Sequence, residues 1–143
     1  MLEIDTDRGF LLDGYPRNVE QAETLDRFLK VNLAIQLKLP DDEAVRRLMG
    51  RQQCTGCRSI FHVDDAPPVV SGECTYCRKS LMHRDDDREE IIRTRLSAYH
   101  FMTEPLASYY RQRGVLLAVR AGQPLPLLFQ ELVRKIAKLG FVS

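Results

Sequence analysis

Apolar residues recur along this chain at spacings that predict alternating helices and strands. Residues 19–30 carry an apolar stripe at helical spacing, and Asn18 stands before it as a candidate N-cap. Apolar and polar residues alternate over 33–39, which predicts a half-exposed strand. Residues 115–119 are apolar throughout, which predicts a strand buried on both faces. A shorter apolar run at 9–14 lies between glycines and is expected to form a buried strand that ends in a polar turn.

Three more helices are expected. One covers 41–53 with Asp41 as its cap, and the last covers 127–139. Between them, residues 85–113 are predicted to form a long helix with an acidic start, which Pro105 kinks or breaks and Gly114 ends. Strands that alternate with helices in this way indicate an α/β fold with a parallel sheet flanked by helices.

The four cysteines of the chain form two C-x2-C pairs, Cys54 with Cys57 and Cys74 with Cys77. Two such pairs supply the four thiolates that a structural zinc ion takes in tetrahedral geometry. The residues between them are too few to build a core, so a metal would supply much of their folding free energy. The alternatives are two disulfides or four unrelated thiols. We call residues 54–83 the cysteine segment; within it, 59–63 is predicted to be a small strand.

The overall composition narrows the classes of function. A hydrophobic fraction of 44% and a charged fraction of 29% are ordinary for a globular protein. The net charge of +1 argues against a nucleic-acid partner, since such proteins are usually more basic. No apolar run reaches membrane-spanning length, so no membrane partner is expected. The first five residues lack the pattern of a signal peptide, and a reducing, cytoplasmic location is the expectation.

Five arginines stand near the predicted ends of helices and strands: Arg17, Arg47, Arg51, Arg84 and Arg95. The planar guanidinium group matches phosphate oxygens well. Arg47 and Arg51 are four residues apart and would share a helix face. Taken one at a time, each arginine could equally be a solvated surface residue.

The sequence around these arginines closely resembles that of the adenylate kinases. The family signature is a strand that ends in Asp-Gly-Phe-Pro-Arg. Further family motifs lie at the start of a mobile lid, within the lid, and at its end. The corresponding motifs here are Gly9-Phe-Leu-Leu-Asp-Gly-Tyr-Pro-Arg-Asn18, Leu48-Met-Gly-Arg51, Phe61-His62 with Pro67-Pro68, and Arg84-Asp-Asp-Asp87 with Arg93-Thr-Arg-Leu96 and Tyr99-His100. The cysteine segment resembles the zinc-bearing lid of the long-form bacterial enzymes. The division implied is a core of 1–53 and 84–143 with a lid of 54–83.

The resemblance implies a role for each matching residue. On the AMP side, Arg17 corresponds to the arginine that holds the phosphate, and Gln21 to the glutamine that reads the adenine edge. Asp13 corresponds to a strand-end acid near the magnesium site. The residues implied for ATP binding and phosphoryl transfer are Arg51 and Arg84, which close over the ATP phosphates, and Arg47 and Arg95, which line the transfer site. For His62, contact with the ATP base and packing within the lid are equally compatible with the sequence.

The implied activity is ATP + AMP = 2 ADP with magnesium, and ATP, AMP and ADP are the implied partners of a monomeric protein. The family also has a glycine loop, G-x-x-G-x-G-K, that cradles ATP phosphates, and no such motif occurs in this sequence. The resemblance therefore covers the C-terminal two-thirds of the family and implies a truncated core, a fold of the nucleoside-monophosphate-kinase type, and a chain that is inactive alone. The alternatives are a non-catalytic zinc-ribbon interaction module and a pseudokinase that retains weak nucleotide binding.

Overall fold

The computed structural model describes residues 9–140, which fall into two compact units. Unit 1 comprises residues 9–36 and Tyr99–Leu117, and unit 2 comprises Leu37–Ala98 and residues 118–140. In chain order the helices and strands are α1 (Val19–Asp26), β1 (Ala34–Lys38), α2 (Asp41–Met49), β2 (Arg51–Cys54), β3 (Ile60–His62), β4 (Leu81–Met82), α3 (Glu89–Ala98), α4 (Pro105–Gln112), β5 (Leu116–Arg120) and α5 (Leu125–Lys138).

The core of unit 1 lies between α1 and α4. Ala22 of α1 is completely buried against Leu106 and Tyr110 of α4. The predicted N-cap of α1 is confirmed, because the side chain of Asn18 accepts a hydrogen bond of 2.8 Å from the amide of Gln21. Helix α1 ends four residues before the predicted position, at Asp26.

The predicted long helix over 85–113 is divided into several shorter pieces. A 3-10 turn (Asp85–Asp87) precedes α3, and a π-helical turn (Tyr99–Thr103) precedes α4. Pro105 is the residue that begins α4, which confirms the predicted break, since proline has no amide hydrogen with which to continue a helix. Gly114 ends α4 with a φ of 72°, a left-handed conformation that glycine adopts without strain.

Strands β1 and β5 pair in parallel, which confirms the α/β fold with a parallel sheet flanked by helices. The amide of Ala34 bonds to the carbonyl of Val115 at one end (2.9 Å), and the amide of Ala121 bonds to the carbonyl of Lys38 at the other (2.8 Å). The prediction that β5 is buried on both faces is wrong. Only Val119 is buried, because β5 has a single neighbouring strand among residues 9–140 and its apolar side chains are half-covered.

The prediction of a buried strand at 9–14 is also wrong. Residues 9–14 have no strand structure, and Leu11 is 87% exposed. A strand needs a neighbour to satisfy its backbone amides and carbonyls. None of the five strands in residues 9–140 pairs with this run, so its apolar sequence alone does not make it a strand.

Unit 2 contains the cysteine segment, whose strands β3 and β4 pair with β2 on either side in a three-stranded antiparallel sheet of order β3-β2-β4. Strand β3 confirms the strand predicted at 59–63. Helix α2 ends at Met49, short of residue 53, because the chain enters β2 at Arg51. The N-cap of α2 is Pro40 and not Asp41, whose carboxylate lies in the first helical turn, where acidic side chains complement the helix dipole.

Helix α5 packs on the end of β5 and begins two residues earlier than predicted. Leu128 is buried against Val119 and Ala121, with Leu39 and Leu132 beside them. No helix within residues 9–140 combines the length and the apolar character needed to cross a lipid bilayer.

Gly50 joins α2 to β2 and lies directly against His62. The amide of Val63 bonds to the carbonyl of Gly50 at 3.0 Å. A Cβ atom at Gly50 would lie 2.3 Å from Nε2 of His62. His62 is held in place because its Nδ1 accepts hydrogen bonds from the amides of Asp64 (3.1 Å) and Asp65 (3.0 Å).

We therefore expect Gly50→Ala to destabilise the protein by about 1–3 kcal/mol through overpacking. Gly122→Ala is the matched control, because its added Cβ would meet its nearest neighbour, Leu39, at an ordinary 3.9 Å. Urea denaturation of both variants measures the difference. A second change, His62→Ala, should recover part of the loss; equal stabilities for Gly50→Ala and Gly122→Ala would contradict the expectation.

Candidate functional site

The four cysteines meet in the cysteine segment. Their sulfur atoms all lie within 4.8 Å of one another, with Sγ of Cys54 at 3.3 Å from Cys77 and Sγ of Cys57 at 3.6 Å from Cys74. All four are free thiols, so the two-disulfide alternative does not hold. A tetrahedral ion with metal–sulfur bonds of about 2.3 Å separates its ligands by about 3.8 Å. The cluster therefore fits a zinc site.

The two cysteine pairs have the same backbone turn. Arg58 and Arg78 each follow the second cysteine of a pair and have φ values of 61° and 62°. A left-handed residue at this position directs the main-chain amides before it toward a cysteine sulfur. In the first pair, the amide of Gly56 donates a hydrogen bond of 3.3 Å to Sγ of Cys54. The signal in the sequence is the repeated motif Cys-Thr-x-Cys-Arg at 54–58 and 74–78, which extends one residue beyond the C-x2-C spacing.

The surroundings of the thiols affect their protonation. The hydroxyl of Ser59 hydrogen-bonds Cys57 and lowers the pKa of this thiol to about 6. Burial raises the pKa of Cys74 to about 11. A cation bound by all four sulfurs would therefore have to displace a proton from Cys74, so that metal binding releases protons.

Three of the five arginines converge on two neighbouring aspartates in the 3-10 turn. Arg51 makes a bidentate pair with Asp87, with bonds of 2.8 and 2.6 Å. The carboxylate of Asp87 is only 1% exposed, and the side chain of Arg51 is 23% exposed. The hydrogen bond to Asp87 raises the pKa of Arg51 further, so this arginine stays charged.

Arg84 and Arg95 contact the other aspartate. Arg84 makes a bidentate pair with Asp86 at 2.8 and 2.9 Å, and this pair lowers the pKa of Asp86. Arg95 donates to the main-chain carbonyl of Asp86 at 3.3 Å and lies 3.8 Å from Asp87. We call Arg51, Arg84 and Arg95 with these two aspartates the arginine cluster. The sequence indicates the arginines, whereas the acidic residues after Arg84 predict a helix start and match a family motif without revealing that they pair with these arginines.

Arg47 lies outside this cluster. Its guanidinium group donates to Glu43 at 2.7 Å and to the carbonyl of Ala121 at 3.0 Å. Hydrogen bonds from Arg46, then Arg47, lower the pKa of Glu43 to about 2. Arg47 and Arg51 do not share a helix face as expected, because α2 ends between them.

Arg17, Gln21 and Asp13 belong to unit 1. The amide of Arg17 donates to Oε1 of Gln21 at 2.8 Å, and its Nε donates to the carbonyl of Gly14 at 2.7 Å. No carboxylate within residues 9–140 pairs with Arg17, which is exposed. Asp13 is exposed in a bend, and residues 9–12 before it form no strand.

The four cysteines are the only group of three or more potential metal ligands in the described part of the chain. No cage of carboxylates for magnesium is present there. Magnesium ions in phosphate-transfer sites are commonly held by one or two carboxylates together with substrate phosphates, so a cage is not required.

The family model for adenylate kinase matches residues 1–115. Among curated relatives, an adenylate kinase of Lachnospira eligens is 40% identical over 137 residues, covering 92% of this chain and 64% of the relative. An adenylate kinase of Streptomyces avermitilis is 44% identical over 131 residues, covering 87% of this chain and 60% of the relative. An adenylate kinase of Methanothrix thermoacetophila is 39% identical over 139 residues, covering 94% of this chain and 64% of the relative.

The chain thus spans somewhat less than two thirds of the length of these relatives. The match nevertheless includes the segments that carry the cysteine cluster and the arginine cluster. On these grounds the chain belongs to the adenylate kinase family.

Proposed function

We propose that the protein to which this sequence belongs transfers a phosphoryl group from ATP to AMP and forms two ADP. The observation that carries the proposal is the arginine cluster, in which three guanidinium groups from different parts of unit 2 converge on two aspartates of one short turn. Phosphoryl transfer needs no covalent intermediate and depends on positioning and on cations that stabilise charge on the transferred group. Family membership supports the same reaction.

In this proposal Asp86 and Asp87 pair with the guanidinium groups as long as no nucleotide phosphate is bound. A carboxylate and a phosphate both accept two parallel hydrogen bonds from a guanidinium group, so either can satisfy Arg51 or Arg84. Arg51 and Arg84 then exchange their carboxylate partners for ATP phosphates, while Arg95 contacts the transferred group. Arg47 acts at the same transfer site. Its present bonds to Glu43 and Ala121 are the contacts that it would have to rearrange.

Arg17 and Gln21 form the AMP side in this proposal. Arg17 offers its terminal nitrogens to the AMP phosphate. Because Oε1 of Gln21 is occupied by the amide of Arg17, the NH2 group of Gln21 is the part that can donate to the adenine edge. Asp13 would lie near the magnesium ion that accompanies ATP.

We also propose that zinc occupies the cysteine cluster and that residues 54–83 move as a lid. The ion would be held by Cys54, Cys57, Cys74 and Cys77, and it would supply folding free energy to a segment without a large core of its own. Lid closure would exclude water from the transfer site. Residues 1–53 and 84–143 would form the core.

The 143 residues alone are not expected to turn over at the rate of a complete kinase. Preorganised donors such as those of a glycine loop are each worth about 10²–10³ in rate, and this sequence lacks that motif. A coupled ADP-formation assay on highly purified chain measures this. Robust turnover that is abolished by Arg95→Ala would show the expectation of inactivity to be wrong.

Binding tests the proposed site directly. The probe is the bisubstrate analogue in which five phosphates join two adenosines. NMR titration should show shifts at Arg17, Arg51, Arg84 and Arg95, with weak affinity that falls as salt rises. Arg95→Ala should weaken binding. Arg93→Ala is the matched control, because Arg93 is exposed on the same helix and pairs with Glu89.

The alternative functions predict different results. A non-catalytic zinc-ribbon module predicts no arginine shifts at low salt, which would overturn the proposal. A pseudokinase predicts binding without transfer even when the chain is part of a complete core. Loss of affinity in Arg93→Ala equal to that in Arg95→Ala would indicate non-specific attraction between charges.

A further inference from the structure

The π-helical turn before α4 brings a hydroxyl group onto the Arg17 segment. Oγ1 of Thr103 donates a hydrogen bond of 2.9 Å to the main-chain carbonyl of Arg17. Both residues belong to unit 1, and 86 positions separate them in the chain. Thr103 is half-buried, whereas the other four residues of the turn, 99–102, are exposed.

Contacts at both ends of the π-helical turn fix the position of Thr103. The amide of Glu104 bonds to the carbonyl of Tyr99, five residues back, at 2.9 Å. This extra residue in the turn changes the direction of the side chains that it carries. Pro105 then starts α4, and α4 is anchored because Leu106 packs on Ala22 of α1.

Arg17 immediately precedes the cap of that same helix α1. Its amide is held by Gln21 and its Nε by Gly14, at 2.8 and 2.7 Å. Its carbonyl is held by Thr103. These three bonds fix the peptide groups on both sides of Arg17 and the base of its guanidinium group. Within residues 9–140 the two terminal nitrogens of the group have no hydrogen-bond partner.

We propose that Thr103 is a positioning residue for Arg17. Its hydroxyl fixes the carbonyl of Arg17, and thereby the direction in which the guanidinium group presents its terminal nitrogens to a phosphate. The hydrogen bond between Thr103 and Arg17 joins the residues just before α1 to the residues just before α4. The packing of the two helices therefore determines the direction of the Arg17 side chain. The identification of the phosphate as that of AMP rests on the proposed function; the positioning itself does not.

The test compares Thr103→Val, which removes the hydroxyl at equal volume, with Thr103→Ser, which keeps it. Thr103→Ala is a second hydroxyl-free variant. Thr94→Val is the matched control, because the hydroxyl of Thr94 makes a bond of the same length, 2.9 Å, to the carbonyl of Glu90 within its own helix. All variants are made in the full 143-residue chain, and their melting temperatures are measured first.

The first readout needs no ligand. Amide hydrogen exchange at Arg17 should become several-fold faster in Thr103→Val and Thr103→Ala, and return to the original rate in Thr103→Ser. Exchange in α4 should stay unchanged in all of them. Unchanged exchange at Arg17 in both hydroxyl-free variants would overturn the inference, whatever ligands do.

The second readout is an NMR titration with AMP. Loss of one hydrogen bond should weaken the AMP-dependent shift at Arg17 by about two- to tenfold in Thr103→Val, with rescue by Thr103→Ser. Shifts of Arg51 with the pentaphosphate probe should not change, which a general loss of structure could not produce. If the unaltered chain shows no AMP shift at Arg17, the proposed function fails at this site, and the exchange data alone decide the inference. Equal AMP affinity in Thr103→Val and the unaltered chain would overturn it.

Discussion

Removal of the zinc ion proposed for the cysteine cluster is expected to unfold the cysteine segment while the packing of α1 on α4 persists. Structural zinc contributes an apparent free energy of about 10–16 kcal/mol in small metal-folded domains, whereas a whole domain is stable by about 5–15 kcal/mol. The buried side chains beside the cluster are few: Phe61 and the two cysteines Cys54 and Cys74, with Leu81 partly buried. So small an apolar cluster cannot hold three short strands together when the four sulfurs are no longer joined.

The measurement begins with metal analysis of protein purified without chelator, which should give close to one zinc per chain. Chelation, or Cys74→Ser, should then abolish the protection of β2 and β3 amides from hydrogen exchange. Ser71→Ala, an exposed change in the same segment, is the matched control and should keep both the zinc and the protection. A full titre of reactive thiols in the native protein as isolated, or a disulfide found by mass spectrometry, would contradict the zinc prediction.

Loss of the buried carboxylate in the arginine cluster should have the second large effect. Asp87→Asn replaces a carboxylate that is 1% exposed and leaves the charge of Arg51, whose side chain is 23% exposed, paired with an amide. Removal of one partner from a buried ion pair typically destabilises a protein by about 3–5 kcal/mol. Asp85→Asn is the control, because the side chain of Asp85 is 95% exposed and lies 3.7 Å from Arg88. Its effect should stay within about 0.5 kcal/mol.

Urea denaturation of the two variants gives the comparison. The same variants also test the exchange of carboxylate for phosphate. Asp87→Asn should bind the pentaphosphate probe more tightly than the unaltered chain, since no carboxylate competes for Arg51. Similar, small losses of stability in both variants would mean that Asp87 is far less important than its burial indicates.

Local signals in the sequence were sufficient for several features of the structure. The cysteine spacing, the cap at Asn18 and the break at Pro105 all depend on residues within a few positions of one another. Each follows from chemistry that acts over one turn: ligand reach, a side chain that accepts an amide, and a missing amide hydrogen. The structure confirms the cap and the break and brings the four cysteines together.

Features that depend on distant partners were not predictable in this way. The run at 9–14 has the apolar sequence of a strand, but strand structure needs a neighbouring strand that local sequence does not reveal. Likewise, the acidic residues after Arg84 fit a helix start equally well, and only the tertiary structure shows that Asp87 is buried against Arg51, 36 positions away. The nucleotide-binding and transfer roles remain predictions for all of the site residues: Asp13, Arg17, Gln21, Arg47, Arg51, Arg84 and Arg95.

The close approach of His62 to Gly50 constrains how this sequence can change over generations. A side chain at position 50 would occupy space that the imidazole ring already fills. A lineage could therefore acquire a larger residue at 50 only after position 62 had become smaller. A smaller residue at 62, by contrast, requires no earlier change at 50. Position 62 should thus change before position 50, and homologous sequences should combine glycine at 50 with histidine at 62, or a larger residue at 50 with a small residue at 62, but not a larger residue at 50 with histidine at 62.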